Sequence, residues 1–299
     1  MNNLKCCVNF VILAVFVTVN LFQDVYAARV KQAEAMTSDA LLPKNRIIGY
    51  YGNFLSTRMG VLGEYPPEQM LRMLKDEMKK WSLADPDTPT IPAIEYIAVV
   101  AQKDPGRDGR YRARMSDSEI QKAIYLANKI NGLVILDIQV GLSDLQSEIP
   151  RLARYLKMPN VMLGIDPEFS MPNGKVPGKV IGTVDARDIN FAINYLAKIV
   201  REYNLPPKIL VVHRFTQRMV TNHQNINLVP EVQVVMDMDG WGPQSLKKDS
   251  YRAYITAEPV QFTGIKLFYK NDLKNNSTGL LTPAEIMKLE PVPMFILFQ

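Results

Sequence analysis

From Arg46 onward, short and nearly continuous apolar runs alternate with segments whose apolar residues recur every three or four positions. The runs at 46–52, 94–102, 133–140, 161–166, 208–215, 232–239, 263–269 and 294–298 are rich in β-branched and aromatic residues. Strands that read apolar throughout belong to a parallel sheet covered on both faces. Between them, Pro66-Pro67-Glu68 opens a helix that carries Met70, Leu71, Leu74, Met78 and Trp81 on one stripe. Ser116 or Asp117 caps a second, with Ile120, Ile124 and Ala127 inward and Asn131-Gly132 as its stop. Ser143 caps a third, with Leu145, Ile149, Leu152 and Leu156, and Asp185 a fourth, with Ile189, Ile193, Leu196 and Val200. Beyond the fifth strand the stretches 216–225, 243–254 and 282–289 offer only short helices.

Alternating strands and helices with right-handed crossovers build either an open doubly wound sheet or a closed barrel. Eight strands at intervals of roughly 25–40 residues predict closure into a single α/β domain, a (β/α)8 barrel of the TIM type with eight parallel strands. Gly49-Tyr50-Tyr51-Gly52-Asn53 lacks the spacing of a dinucleotide-binding turn. The eighth strand runs to Gln299, so the closing helix is expected to be missing, or replaced by residues 28–41 across the barrel floor.

The N-terminus changes the picture of where the protein works. Lys5, an apolar run over 8–22 and Val25-Tyr26-Ala27 fit a signal peptide at 1–27, leaving one domain at 28–299. The expected location is secreted or periplasmic, with no stable membrane anchor after cleavage. Cys6 and Cys7 are the only two cysteines, so the mature chain would hold no disulfide and no thiolate nucleophile. A net charge of +5 without a basic stripe gives no nucleic-acid signature, and a monomer is expected.

In a barrel, functional side chains gather where strands end C-terminally. Those ends offer Tyr50, Asp137 and Gln139, Asp166 and Glu168, His213, Asp237 and Asp239 with Trp241, then Lys266 and Tyr269. Acidic residues recurring at the same end of three apolar strands are costly to bury without a purpose. Pro167 stops the strand ladder as Asp166 emerges, and Phe169 can raise the pKa of Glu168. One histidine beside several carboxylates can bind Ca²⁺, Mg²⁺ or Mn²⁺ but forms no closed zinc signature, and the preferred reading needs no metal or cofactor. Lys103, Arg107, Arg110, Arg112 and Arg114 crowd the loop after the second strand, where they can draw in an anionic polymer.

Through Asp166-Pro167-Glu168-Phe169 and Met236-Asp237-Met238-Asp239-Gly240-Trp241-Gly242, the chain resembles the secreted (β/α)8 glycoside hydrolases and their uncharacterised relatives. The resemblance implies an acid/base carboxylate at the end of strand four and further carboxylates on strand six. The alternating aspartate series of chitinases and a strand-seven glutamate are missing. The expected function is hydrolysis of a polysaccharide or glycoconjugate, an anionic one included. Glu168 would be general acid, Asp237 or Asp239 its partner carboxylate and Asp166 the next candidate. Tyr50, Asp137, Gln139, His213, Trp241, Lys266 and Tyr269 would position the sugar. The alternatives are a metal-dependent phosphodiesterase-type barrel, marked by chelator-sensitive activity, and a non-catalytic carbohydrate-binding barrel, marked by binding without turnover.

Overall fold

The computed structural model describes residues 39–299. The expected signal peptide, both cysteines and residues 28–38 of the expected floor segment lie outside the described residues. The barrel strands are β1 (Arg46–Gly52), β2 (Thr90–Ala101), β3 (Leu133–Ile138), β4 (Val161–Ile165), β5 (Lys208–Arg214), β6 (Val232–Met238), β7 (Phe262–Leu267) and β8 (Phe295–Phe298). Each pairs in parallel with its successor, and β8 returns to β1 to close the ring.

Closure explains why the strands carry no hydrophobic alternation. One parity fills the barrel interior with Ile47, Ala93, Ile97, Leu133, Ile135, Met162, Val211, Val235 and Leu297. The other parity packs outward on the helices through Ile48, Tyr50, Ile94, Val134, Leu136, Leu163, Leu210 and Val234. Both faces are apolar because both are buried. At the floor, Gln233 accepts from the amides of Leu41 and Leu42, at 3.1 Å each, and donates to the Leu42 carbonyl at 2.7 Å. Leu42 is thereby drawn into the interior cluster.

Helices α1 (Pro67–Ala84), α2 (Asp117–Asn128) and α3 (Ala186–Tyr203) form where the stripes predict, each with a recognisable start. Proline opens α1, Ser116 caps α2, and Asp185 caps α3 through the Arg187 amide at 3.0 Å. The expected third helix does not form as one piece. It breaks into Leu145–Glu148, a 3-10 turn at Ile149–Leu152 and Ala153–Leu156. Pro150 lacks the amide hydrogen and crowds the preceding turn. Its cap is Asp144, not Ser143, whose hydroxyl instead donates to Glu148 at 2.6 Å. Helix α4 (Gln244–Tyr251) and the single turn Pro283–Ile286 complete the weaker second half.

The loop after β2 is anchored rather than free. A short strand, Arg112–Arg114, pairs antiparallel with β2. The buried carboxylate of Glu148 accepts from Arg112 Nε at 2.8 Å and from Arg114 Nε and Nη2 at 2.7 and 2.9 Å. Asp108 takes the outer edge of Arg112 at 2.8 Å. Two of the arginines expected to attract an anionic polymer therefore hold the loop to the fold.

Candidate active site

Reading the inward parity from floor to mouth shows how the site arises. Strand β3 gives Leu133, Ile135 and then Asp137; β4 gives Met162, Gly164 and then Asp166 just past its end. Strand β5 gives Ile209, Val211 and His213, and β6 gives Val235, Asp237 and then Asp239. Apolar layers thus give way to charged ones only towards the C-terminal ends.

The charged residues form two tiers. In the lower tier Glu95, Asp137, His213 and Asp237 are fully buried, each with 0 % exposure. His213 Nε2 lies 2.8 Å from Glu95 Oε1, and Nδ1 lies 3.1 Å from Asp237 Oδ2. Tyr51 donates its hydroxyl to Asp137 Oδ2 at 3.0 Å. Burial opposes a charge on His213, but Glu95 and Asp237 overcome it and hold the imidazole pKa well above its ordinary value. Burial drives the Asp137 carboxyl up to about 7, with His213 pulling the other way.

The upper tier lines a pocket of about 610 Å³, within the span of roughly 300–1,000 Å³ usual for ligand sites. Tyr51, Gln139, Asp166, Glu168, Asp239 and Lys266 supply its polar wall, and Phe169, Phe215 and Trp241 its aromatic one. Trp241 is 50 % exposed at the rim. Asp166 uses both oxygens locally: Oδ1 accepts from the Glu168 amide at 3.1 Å and Oδ2 from Gln139 Nε2 at 3.0 Å. This caps the 3-10 turn Pro167–Phe169 and fixes where Glu168 stands. Gly182 packs beneath that turn and donates its amide to the Glu168 carbonyl at 2.7 Å. A Cβ on Gly182 would fall 2.4 Å from the carbonyl oxygens of Pro167 and Ser170. Only glycine permits that approach.

Glu168 is half-buried, and its carboxyl is pushed up to about 8, first by burial and then by the charges of Asp166 and Asp239. Burial raises Asp239 to about 7, while His213 and Lys266 pull it down. The Lys266 ammonium sits 3.3 Å over the centre of the Tyr51 ring.

Several expected site residues are placed differently. Tyr50 and Tyr269 stand outside the barrel, hydroxyl to hydroxyl at 3.1 Å, with Tyr269 donating to Glu77 of α1 at 3.0 Å. They belong to the shell between strands and helix, and Tyr51 is the tyrosine that faces in. Asp137, His213 and Asp237 lie beneath the pocket instead of on its wall. Asp239 is therefore the strand-six carboxylate that the pocket exposes. Glu95 was absent from the expected set. It is the one charged side chain within the apolar run of β2, and its parity with Ala93 and Ile97 directs it inward. Among the described residues, Glu95, Asp137 and His213 are the group whose ligand atoms approach closely enough to hold a metal ion.

No protein-family model matches the chain, and no curated protein does. Among solved structures it is similar to a Bacillus subtilis mannanase, BCman, with 13 % identity and a TM-score of 0.40 over 86 % of this chain and 81 % of that one. It is also similar to a GH18 chitinase from Pseudoalteromonas aurantia, with 9 % identity and a TM-score of 0.29 over 85 % of this chain and 93 % of that one. Likenesses this distant carry no functional weight.

Proposed function

We propose that the protein is an exported glycoside hydrolase-like enzyme whose mouth pocket cleaves a glycosidic bond in a polysaccharide or glycoconjugate. The observation that carries this reading is Glu168, a carboxyl raised to about 8 on the wall of an aromatic-sided pocket that also exposes Asp239. Glycosidic cleavage needs one carboxyl that is neutral at working pH and another placed to stabilise or attack the cationic sugar. Glu168 supplies the proton to the leaving oxygen, and Asp239 serves as nucleophile, base or electrostatic partner. Asp166 and Gln139 act through Glu168 by holding its turn. Trp241 offers a half-exposed face on which a sugar ring can stack, and Phe169 and Phe215 add apolar surface to the same pocket. An acidic sugar would meet the ammonium of Lys266, so uronate-bearing chains are the first to try.

The pH profile tests the assignment. A general acid works only while protonated, so kcat/KM on a cleaved glycan should fall as pH rises through about 8. The same alkaline limb should be missing in Glu168→Gln, which carries no titrating carboxyl there. An enzyme whose rate climbs steadily from pH 7 to 9 would not be using Glu168 as its proton donor.

A further inference from the structure

Beneath the pocket floor, His213 is oriented from behind and faces two carboxylates in front. Its Nδ1 lies 3.1 Å from Asp237 Oδ2, a contact that a hydrogen on Nδ1 satisfies. Nε2 faces Glu95 Oε1, 2.8 Å away, with Asp137 Oδ1 at 3.9 Å. Two carboxylates this close to Nε2 in a fully buried space need positive charge among them, either a proton on Nε2 or a metal ion in its place. A proton on Nε2 answers the Glu95 contact alone. It leaves Glu95 Oε2 and Asp137 Oδ1, both buried, without a hydrogen-bond partner. A divalent ion answers the nitrogen and both carboxylates together.

The surroundings agree with that occupant. The His213 Nε2 contacts to Glu95 Oε1 and Asp137 Oδ1, at 2.8 and 3.9 Å, are spans that pairs of bonds of roughly 2.0–2.2 Å can bridge, and all three ligand atoms lie within 4.8 Å of one another. Gly164 forms the neighbouring wall, and a Cβ there would stand 3.0 Å from both Asp137 Oδ1 and Glu95 Oε1. Tyr51 holds the other oxygen of Asp137 at 3.0 Å, and Asp237 holds the imidazole. Outer partners of this kind fix the orientation of metal ligands.

We propose that Glu95, Asp137 and His213 bind one divalent transition-metal ion, Zn²⁺ or Mn²⁺, directly under the pocket floor. A nitrogen donor and three protein ligands suit these ions. Ca²⁺ takes six to eight oxygens, and Mg²⁺ prefers an octahedron of oxygens. None of the three ligands lines the pocket, so the site stands or falls separately from the glycosidase reading.

The test uses the full chain, stripped with a chelator and titrated with ZnCl₂ or MnCl₂, with MgCl₂ and CaCl₂ as controls. Metal per chain is measured by mass spectrometry after gel filtration, and melting temperature is followed in parallel. Zn²⁺ or Mn²⁺ should bind at one equivalent and raise the melting temperature. Glu95→Gln and Asp137→Asn should each weaken binding at least about 10-fold, and Asp237→Asn roughly 10–100-fold. If those variants do not fold, a ligand-field spectrum of the Co²⁺-loaded wild-type protein decides instead, since one bound equivalent in a histidine–carboxylate site gives visible bands. Wild-type protein that takes up no equimolar metal, or folded Glu95→Gln and Asp137→Asn variants that bind as tightly as wild type, would overturn the proposal.

Discussion

Replacing Glu168 by Gln should lower glycan turnover by roughly 10²–10⁴-fold, the usual contribution of a positioned general acid, while leaving glycan affinity nearly unchanged. The amide keeps the shape of the side chain, and the turn beneath it is held by Asp166 and Gly182 through the backbone of residue 168, not its carboxyl. The loss should therefore appear in kcat with little change in the dissociation constant of a non-cleaved oligosaccharide. A substrate whose leaving group needs no proton, such as an activated aryl glycoside, should recover much of the rate. Unaltered turnover in the variant, on a substrate the wild type cleaves, would remove Glu168 from the mechanism.

The largest stability effect should come from Glu148→Ala. The Glu148 carboxylate is completely buried and accepts from Arg112, Arg114 and Ser143, with the Arg112 side chain itself only 7 % exposed. Removing Glu148 leaves Arg112 with Asp108 alone at its outer edge and its buried Nε unpaired, and breaking a buried ion pair from one side costs about 3–5 kcal/mol. For a chain of this size that corresponds to a melting-temperature drop of roughly 6–20 °C. Burial alone would raise the Glu148 pKa, but Arg114, Ser143 and Arg112 reverse this and hold it below its ordinary value. The stability it contributes is accordingly present above its unfolded pKa of 4.5 and lost as pH falls through the lower folded value. The difference between wild type and Glu148→Ala in thermal melts should thus shrink below pH 4.5. A change under about 1 kcal/mol at neutral pH would contradict this account.

How much of this was legible in the sequence follows from which physical signals survive in a doubly buried sheet. Strand number, strand order and the main helices were readable, because apolar runs, caps and stripes are local properties. The inward parity was readable only where a charged residue marks it. Asp137, His213 and Asp237 marked β3, β5 and β6, whereas Tyr50 and Tyr51 on β1 are both apolar enough for either face. Tyr269 could have been excluded, since Lys266 fixes the inward phase of β7 and an odd step from it points out. Glu95 lies in the middle of β2 and not at a strand end, where functional groups are expected, though a lone carboxylate amid Ile94, Tyr96 and Ile97 is itself the signal. The depth of each residue was not legible at all. Whether His213 floors the pocket or lines it depends on barrel stagger, which no local pattern records. The break in the third helix was written in Pro150 but outweighed by an apolar stripe that continues through it.

The most direct test of the central claim is a crystal structure of Glu168→Gln, the slowed variant, soaked with a mixture of oligosaccharides that includes uronate-bearing chains. The account predicts a sugar chain in the mouth pocket, one ring on Trp241, the scissile oxygen within hydrogen-bonding distance of residue 168, and Asp239 beside the anomeric carbon. A chain bound on another face of the barrel, or a glycosidic oxygen lying away from residue 168 with Asp239 out of reach, would contradict it.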